Sequence, residues 1–238
     1  MMRTLSPAMR HQARVLAQQA AGNSAPGTVT TGSQYELMLY QLAEDRRRLK
    51  QIQSIKSKIT LKATLLPNYQ EWIDGVLTAG KGGQDDVLTT ILVWSIDTGD
   101  FERAIQIAGY AVQHKMTLPD QYERDIATML LDEFSGAYLN GKLADDPLRA
   151  VQILSQVNAL TDGHDTPDQA RAKLHKALAY AQLAVIGEDE KSDLVGTDLA
   201  AARAAYDNLQ RALTLYEGVG VKKDIERLER RLKKAAST

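Results

Sequence analysis

Residues 34–66 read QYELMLYQLAEDRRRLKQIQSIKSKITLKATLL, and neither proline nor glycine interrupts them before Pro67. Leu, Met, Gln, Lys, Arg and Glu dominate, all of them good helix formers, so the stretch predicts helix throughout. At about 1.5 Å per residue, a helix from Tyr35 to Leu66 would be roughly 48 Å long, more than a compact domain needs. Leu42, Leu49 and Ala63 share one heptad position, and Met38, Ile52, Ile59 and Leu66 share another. Asp45 and Lys56 interrupt that seam. A spacing of about 3.5 residues suits a coiled coil, but it also occurs in helices packed on their own chain. Both outcomes stay open here: self-association through this helix, or packing within the chain.

Toward the N-terminus, Ser6-Pro7 is a helix start, with Ser at the cap and Pro in the first turn. A short helix over residues 8–21 carries Arg10, His11 and Arg14 and ends at Gly22. The polar run that follows, up to Ser33, holds almost no core-forming residue and reads as a flexible linker. Residues 1–33 are therefore expected to be a flexible basic arm with a short helix, and 34–66 a long basic helix.

Beyond Pro67 the chain becomes a series of shorter helices with clear punctuation, spanning 67–238. One starts at Pro67 and stops at Gly80; Asp85 or Asp86 caps the next, which ends at Gly99; Asp100 caps a third. Pro119-Asp120, Pro147, Pro167 and Thr197-Asp198 open four more, and residues 221–234 form the last. No segment alternates as a strand does. Small residues beside large ones, as in Ala177-Leu178-Ala179-Tyr180 and Ala204-Ala205-Tyr206, fit helix-pair packing. The expected class is all-α: a long N-terminal oligomerisation or DNA-binding helix, then stacked antiparallel helix pairs. That stack is only loosely tetratricopeptide-like, since the helix starts are unevenly spaced.

A net charge of −1 conceals an uneven distribution. Residues 1–66 carry ten Lys and Arg against three acids, residues 67–200 ten against 22, and residues 201–238 nine against five. A basic beginning, an acidic middle and a basic tail point to different partners for different parts. With no cysteine, disulfides, thiolate zinc sites and a cysteine nucleophile are excluded. The first residues lack a signal-peptide core, and the longest near-apolar stretch, 87–94, is too short to span a bilayer. A cytoplasmic protein without a membrane partner is expected.

The strongest local signal is Arg46-Arg47-Arg48-Leu49-Lys50, extended by Lys56, Lys58 and Lys62. Guanidinium groups offer planar forks of donors that match phosphate oxygens. Arg10 and Arg14, with His11, would reach the same nucleic acid from the arm. No aromatic residue interleaves with the cluster, so duplex backbone contact fits better than stacking on single-stranded bases. The bland alternative is a solvated basic coiled-coil surface.

Catalytic motifs are absent. The carboxylate pairs Glu44-Asp45, Asp85-Asp86, Asp132-Glu133 and Asp145-Asp146 raise a metal-dependent nuclease, yet adjacent acids on a helix point apart and several sit where helices begin. His11, His114, His164 and His175 have no close ligand spacing. Gly80-Lys81-Gly82-Gly83 lacks the ending of a phosphate loop and reads as a flexible connector. No metal and no cofactor is expected, and no catalytic residue is assigned.

Three segments carry a family resemblance: Leu5-Ser6-Pro7-Ala8-Met9-Arg10-His11, Tyr35-Glu36-Leu37-Met38-Leu39 and Leu42-Ala43-Glu44-Asp45-Arg46-Arg47-Arg48-Leu49-Lys50. Gln84-Asp85-Asp86-Val87-Leu88, the segment from Trp94 to Asp100 and Leu118-Pro119 continue it. Together they resemble the small terminase subunit of temperate contractile-tailed phages, over the first 140 residues most clearly. The resemblance implies an oligomer that binds the packaging or cohesive-end site of double-stranded viral DNA in the host cytoplasm. It implies hand-over of that DNA to a large subunit carrying the ATPase motor. The family is conventionally called the endonuclease subunit, so the alternative is that the chain itself cuts the cohesive-end site with a divalent metal. The basic C-terminal helix, Lys222-Lys223 to Lys233-Lys234, would then dock the large subunit or simply cap the fold.

Overall fold

Capping aspartates and left-handed glycines divide the helix-forming sequence into short elements. The structure is a computed structural model that describes residues 6–22, 25–119, 124–187 and 193–236. Among the described residues all regular structure is helical apart from one isolated bridge, Val29 to Gln84. The chain divides into two units, Met1–Ile126 and Ala127–Thr238.

The first unit contains α1 (Pro7–Gly22), α2 (Ser33–Lys50), α3 (Ile55–Leu65), α4 (Gln70–Ala79), α5 (Asp86–Thr98) and α6 (Phe101–Gln113). Helix α5 is its centre, with Val87, Leu88, Ile91, Leu92 and Trp94 all buried. Asp85 caps it, accepting from Leu88 N–H at 2.9 Å, and Gly99 ends it in the left-handed conformation at φ 83°. Asp100 then caps α6.

The continuous helix expected over 34–66 is instead two helices, α2 and α3. The N–H groups of Gln51 and Ile52 bond to carbonyls three residues back, Arg48 and Leu49, which tightens the last turn. Ser54 then leaves the helical region, with ψ 124°, and its Oγ accepts from Ser57 N–H at 3.2 Å. A serine that caps a new helix thus breaks the old one without any Pro or Gly. The apolar seam turns inward: Leu42 and Leu49 are buried, and α2 and α3 both contact α5. Leu42 and Leu49 therefore pack on their own chain, whereas Ala63 of the same heptad position is exposed.

Helix α1 lies on α4, burying Ala17 and Ala21. Gly75 on α4 makes this approach possible, because a Cβ there would stand 2.4 Å from Ala17 Cβ and 2.7 Å from the Arg14 carbonyl oxygen. The polar run read as a flexible linker is tied down within it. Thr30 N–H donates to the Gln84 carbonyl at 2.9 Å, and Gln84 N–H donates to that of Thr28 at 2.8 Å.

The second unit comprises α7 (Ile126–Leu139), α8 (Pro147–Thr161), α9 (Asp168–Ile186), α10 (Gly196–Leu215) and α11 (Lys222–Ala236). The helix expected to open at Pro119-Asp120 begins at Ile126, and Asp120 lies outside the described residues. Asp146 caps α8, with Pro147 in the first turn as the sequence predicts. Contacts run from α8 to α9, α9 to α10 and α10 to α11. Ala179, Ala202, Ala205 and Leu209 with Ile225 and Leu228 form a shared core. Between α9 and α10 a polar chain is embedded: His175 Nδ1 to Asn208 Oδ1 at 2.8 Å, then Asn208 Nδ2 to Gln182 Oε1 at 3.1 Å. Burial holds the His175 imidazolium below its ordinary range.

Gly75→Ala should destabilise the first unit by about 1–3 kcal/mol, the usual penalty of overpacking where backbone blocks relaxation. Tryptophan fluorescence in urea reads this unit alone, since both tryptophans, Trp72 and Trp94, lie in it. An unchanged midpoint would contradict the packing described.

Candidate nucleic-acid interface

Seven bases and no acid occur between Arg46 and Lys62. The break at 51–54 places them around one corner. Arg47, Arg48 and Lys50 close the last turn of α2, where cations favour the helix dipole. Lys56 and Lys58 open α3, whose first turn contains no acid. Cations beside a helix N-terminus are unfavourable by roughly 0.3–1 kcal/mol, a cost that an anion bound there would reverse.

The bases differ sharply in how they are held. Arg46 reaches inward, donating from Nη2 to Thr90 Oγ1 on α5 at 2.7 Å. Arg47, which is exposed, pairs with the half-buried Glu44 one turn back. Arg48 pairs at 2.9 Å with Asp45, a buried carboxylate that also accepts from Tyr69 O–H at 2.8 Å. Lys62 is held by Asp97, with its ammonium 6.0 Å from the centre of the Trp94 ring. Lys50, Lys56 and Lys58 have no ion-pair partner among the described residues; the first two are exposed and the third half-buried.

On α1 the two expected contacts separate. Arg10 is exposed and has no ion-pair partner among the described residues, whereas Arg14 donates to Glu71 at 2.8 Å and approaches Asp74 at 3.7 Å. Arg14 therefore fastens α1 to α4. An ion pair at the surface is worth only about 0–1 kcal/mol, and the Arg47 side of this one is open to solvent. Removing Arg48 costs more than this, because its partner Asp45 is buried even though Arg48 itself is half exposed. The corner thus offers Lys50, Lys56, Lys58 and Arg47, while Arg14, Arg46, Arg48 and Lys62 hold the fold.

The acidic residues are mostly accounted for by structure. Asp85 and Asp146 cap helices, and Asp145 approaches Arg149 at 3.9 Å. Among the described residues, no three His, Asp or Glu side chains gather where they could hold a metal ion. The Gly80-Lys81-Gly82-Gly83 connector is packed: Gly82 N–H donates to Tyr110 O–H at 2.8 Å, and a Cβ there would meet the His114 ring at 2.2 Å.

Asp85 is the most constrained ionisable group. It is fully buried, accepts from Trp72 Nε1–H at 2.9 Å as well as from Leu88, and burial lifts its carboxyl to about 6. Next to it, Asp86 N–H donates to Tyr35 O–H at 3.0 Å, and the Tyr35 ring stacks on Trp72 at 5.7 Å. Burial likewise holds the Tyr35 phenol above its usual range.

The family model of the phage small terminase subunit matches residues 39–169, which include the whole corner. The chain is 39% identical over 228 residues to the "Terminase, endonuclease subunit" of Escherichia phage P2, covering 96% of this chain and 86% of that protein. It is 24% identical over 218 residues to the "Probable terminase, endonuclease subunit" of Haemophilus phage HP1 (strain HP1c1), covering 88% and 74%. No solved structure gives a significant match.

A carboxyl raised from 3.8 to about 6 binds a proton more tightly in the folded than in the unfolded state. Its contribution is full below the lower value and is lost as pH rises through the upper one. Lowering pH from 7 to 5 should therefore stabilise the first unit through this group. Asp85→Asn should remove that dependence while retaining a capping oxygen. Urea midpoints by tryptophan fluorescence at both pH values test this, and an equal pH response in the two proteins would refute it.

Proposed function

Because the chain belongs to the phage small terminase subunit family, we propose that it is the DNA-recognition subunit of a viral packaging machine. It binds double-stranded phage DNA at the packaging (cohesive-end) site, in the host cytoplasm. It acts as a homo-oligomer and recruits the large ATPase subunit for cleavage and packaging. One observation carries the DNA contact: Lys50, Lys56 and Lys58 flank the α2–α3 bend without ion-pair partners among the described residues, in a region that lacks acids from 46 to 62. Arg47 joins them by releasing Glu44, and Arg10 adds a further exposed cation from α1. Avidity across copies makes a weak corner an effective grip. The basic face of α11, including Lys223 and Arg230, serves the large subunit.

Replacing Lys50, Lys56 and Lys58 with Ala should weaken duplex binding at low salt. It should also reduce the slope of log affinity against log salt by up to about 2.7, or about 0.9 per lost phosphate contact. These three are better probes than Arg46 and Arg48, whose removal would disturb Thr90 and Asp45. An unchanged affinity and slope would dismiss the corner as the site.

The names of the two relatives favour a second reading, in which the chain itself cuts DNA. That reading requires magnesium-dependent nicking of cohesive-end DNA by purified chain without the large subunit. Intact supercoiled substrate at every divalent metal tried would remove it.

A further inference from the structure

Ile55 is 75% exposed, the most exposed large apolar side chain among the described residues. A lone apolar residue at a surface is ordinary; its setting distinguishes this one. It opens α3 directly after the Ser54 cap, at the bend flanked by Lys50, Lys56 and Lys58. Helical side chains lean toward the N-terminus of their own helix, so Ile55 projects past the end of α3. At about 100° per residue, Lys56 stands roughly 100° to one side of it and Lys58 roughly 60° to the other. Gln51, Gln53 and Ser54 in the bend are exposed as well, and no acid occurs between residues 46 and 62. A partner for this tip must offer anions on both flanks and an apolar surface between them. Stacked bases between two rows of phosphates do so.

We propose that Ile55 is a wedge that enters the minor groove and partly unstacks one base step, so that the chain kinks the duplex it binds. Phosphates on the two edges of a groove roughly 6 Å wide then meet Lys56 and Lys58 on the flanks of the tip. Isoleucine is among the side chains that unstack base steps in this way. A wedge acts only if it is held. Ser54 Oγ accepts from Ser57 N–H at 3.2 Å, and the Ser54 carbonyl accepts from Lys58 N–H at 3.0 Å. On the other side of the bend, Ile52 N–H donates to the Leu49 carbonyl at 3.2 Å. Leu49 and Leu65 are buried and anchor α2 and α3 in the core behind it. The consequence is selectivity without hydrogen bonds to bases. Pyrimidine–purine steps such as TpA unstack most easily, so a duplex with one at the contact is favoured.

This wedge rests on the DNA contact proposed above and adds a bend to it. The probe is a short duplex whose single pyrimidine–purine step is a central TpA, with 2-aminopurine as its adenine. A duplex without such a step is the control. At low salt the full-length wild-type chain should kink the TpA duplex by at least about 20°, read by energy transfer between end labels. It should also raise 2-aminopurine fluorescence and bind this duplex about threefold or more tightly than the control. Ile55→Ala should lose all three effects, with the salt slope and the tryptophan-monitored urea midpoint unchanged, and Ile55→Leu should keep them. Ile55→Gln takes the place of Ile55→Ala should the latter shift that midpoint. A straight wild-type complex, a kink that survives Ile55→Ala, or a loss as complete in Ile55→Leu would each overturn the wedge. The same assay separates the two readings: lysine-dependent binding to a duplex that stays straight counts against the wedge alone. No binding of either duplex by the wild-type chain would overturn the contact and the wedge together.

Discussion

The first unit depends on a buried carboxylate at the head of α5. Asp85 satisfies an orphan amide of its own helix and the indole N–H of Trp72 on α4. Its neighbours extend the junction. Asp86 N–H reaches Tyr35 on α2, and Gln84 is bound by both backbone and side chain to residues 28–30 and to Thr117. Gly82 reaches Tyr110 on α6. Four residues thus gather α2, α4, α5 and α6 and both flanking connectors. Burying a charge is costly, and that burial raises the proton affinity of Asp85. The two donors that converge on it make the arrangement tolerable.

Much of this fold can be read from residue order, because its punctuation is local. Asp85, Asp100 and Asp146 cap helices, and Gly80 and Gly99 end them, through chemistry confined to one turn. The break at Ser54 is of another kind. Nothing near it forbids helix; the decision falls to a serine cap and to tertiary packing of the seam on α5. Sequence periodicity finds Leu42 and Leu49 but is silent on what they face. Asp45 shows the same limit. It interrupts the apolar pattern, and only its buried setting beside Tyr69 and Arg48 gives it a structural role.

The same distinction applies to the basic cluster. Its existence is visible in the run Arg46-Arg47-Arg48-Leu49-Lys50, but the commitment of each charge is set by distant residues. Thr90, Asp97 and Tyr69 lie far along the chain, and they decide that Arg46 and Lys62 look inward and that Arg48 is kept beside Asp45. What is left for an anion is a smaller set than the sequence suggests, centred on lysines without an ion-pair partner among the described residues. Arg14 is similarly drawn from the expected arm into the contact between α1 and α4.

The bend at 51–54 also sets a length. A straight basic rod lying along a duplex would meet phosphates over tens of ångströms, whereas a corner meets them at a point. Duplex DNA presents about one charge per 1.7 Å of axis, so four or five cations from one corner neutralise roughly 7–9 Å. That is about a quarter of a helical turn. For a chain gripping DNA there, the footprint on the genome is not a property of the subunit at all. Under the proposed oligomeric grip it is a count of how many copies stand side by side.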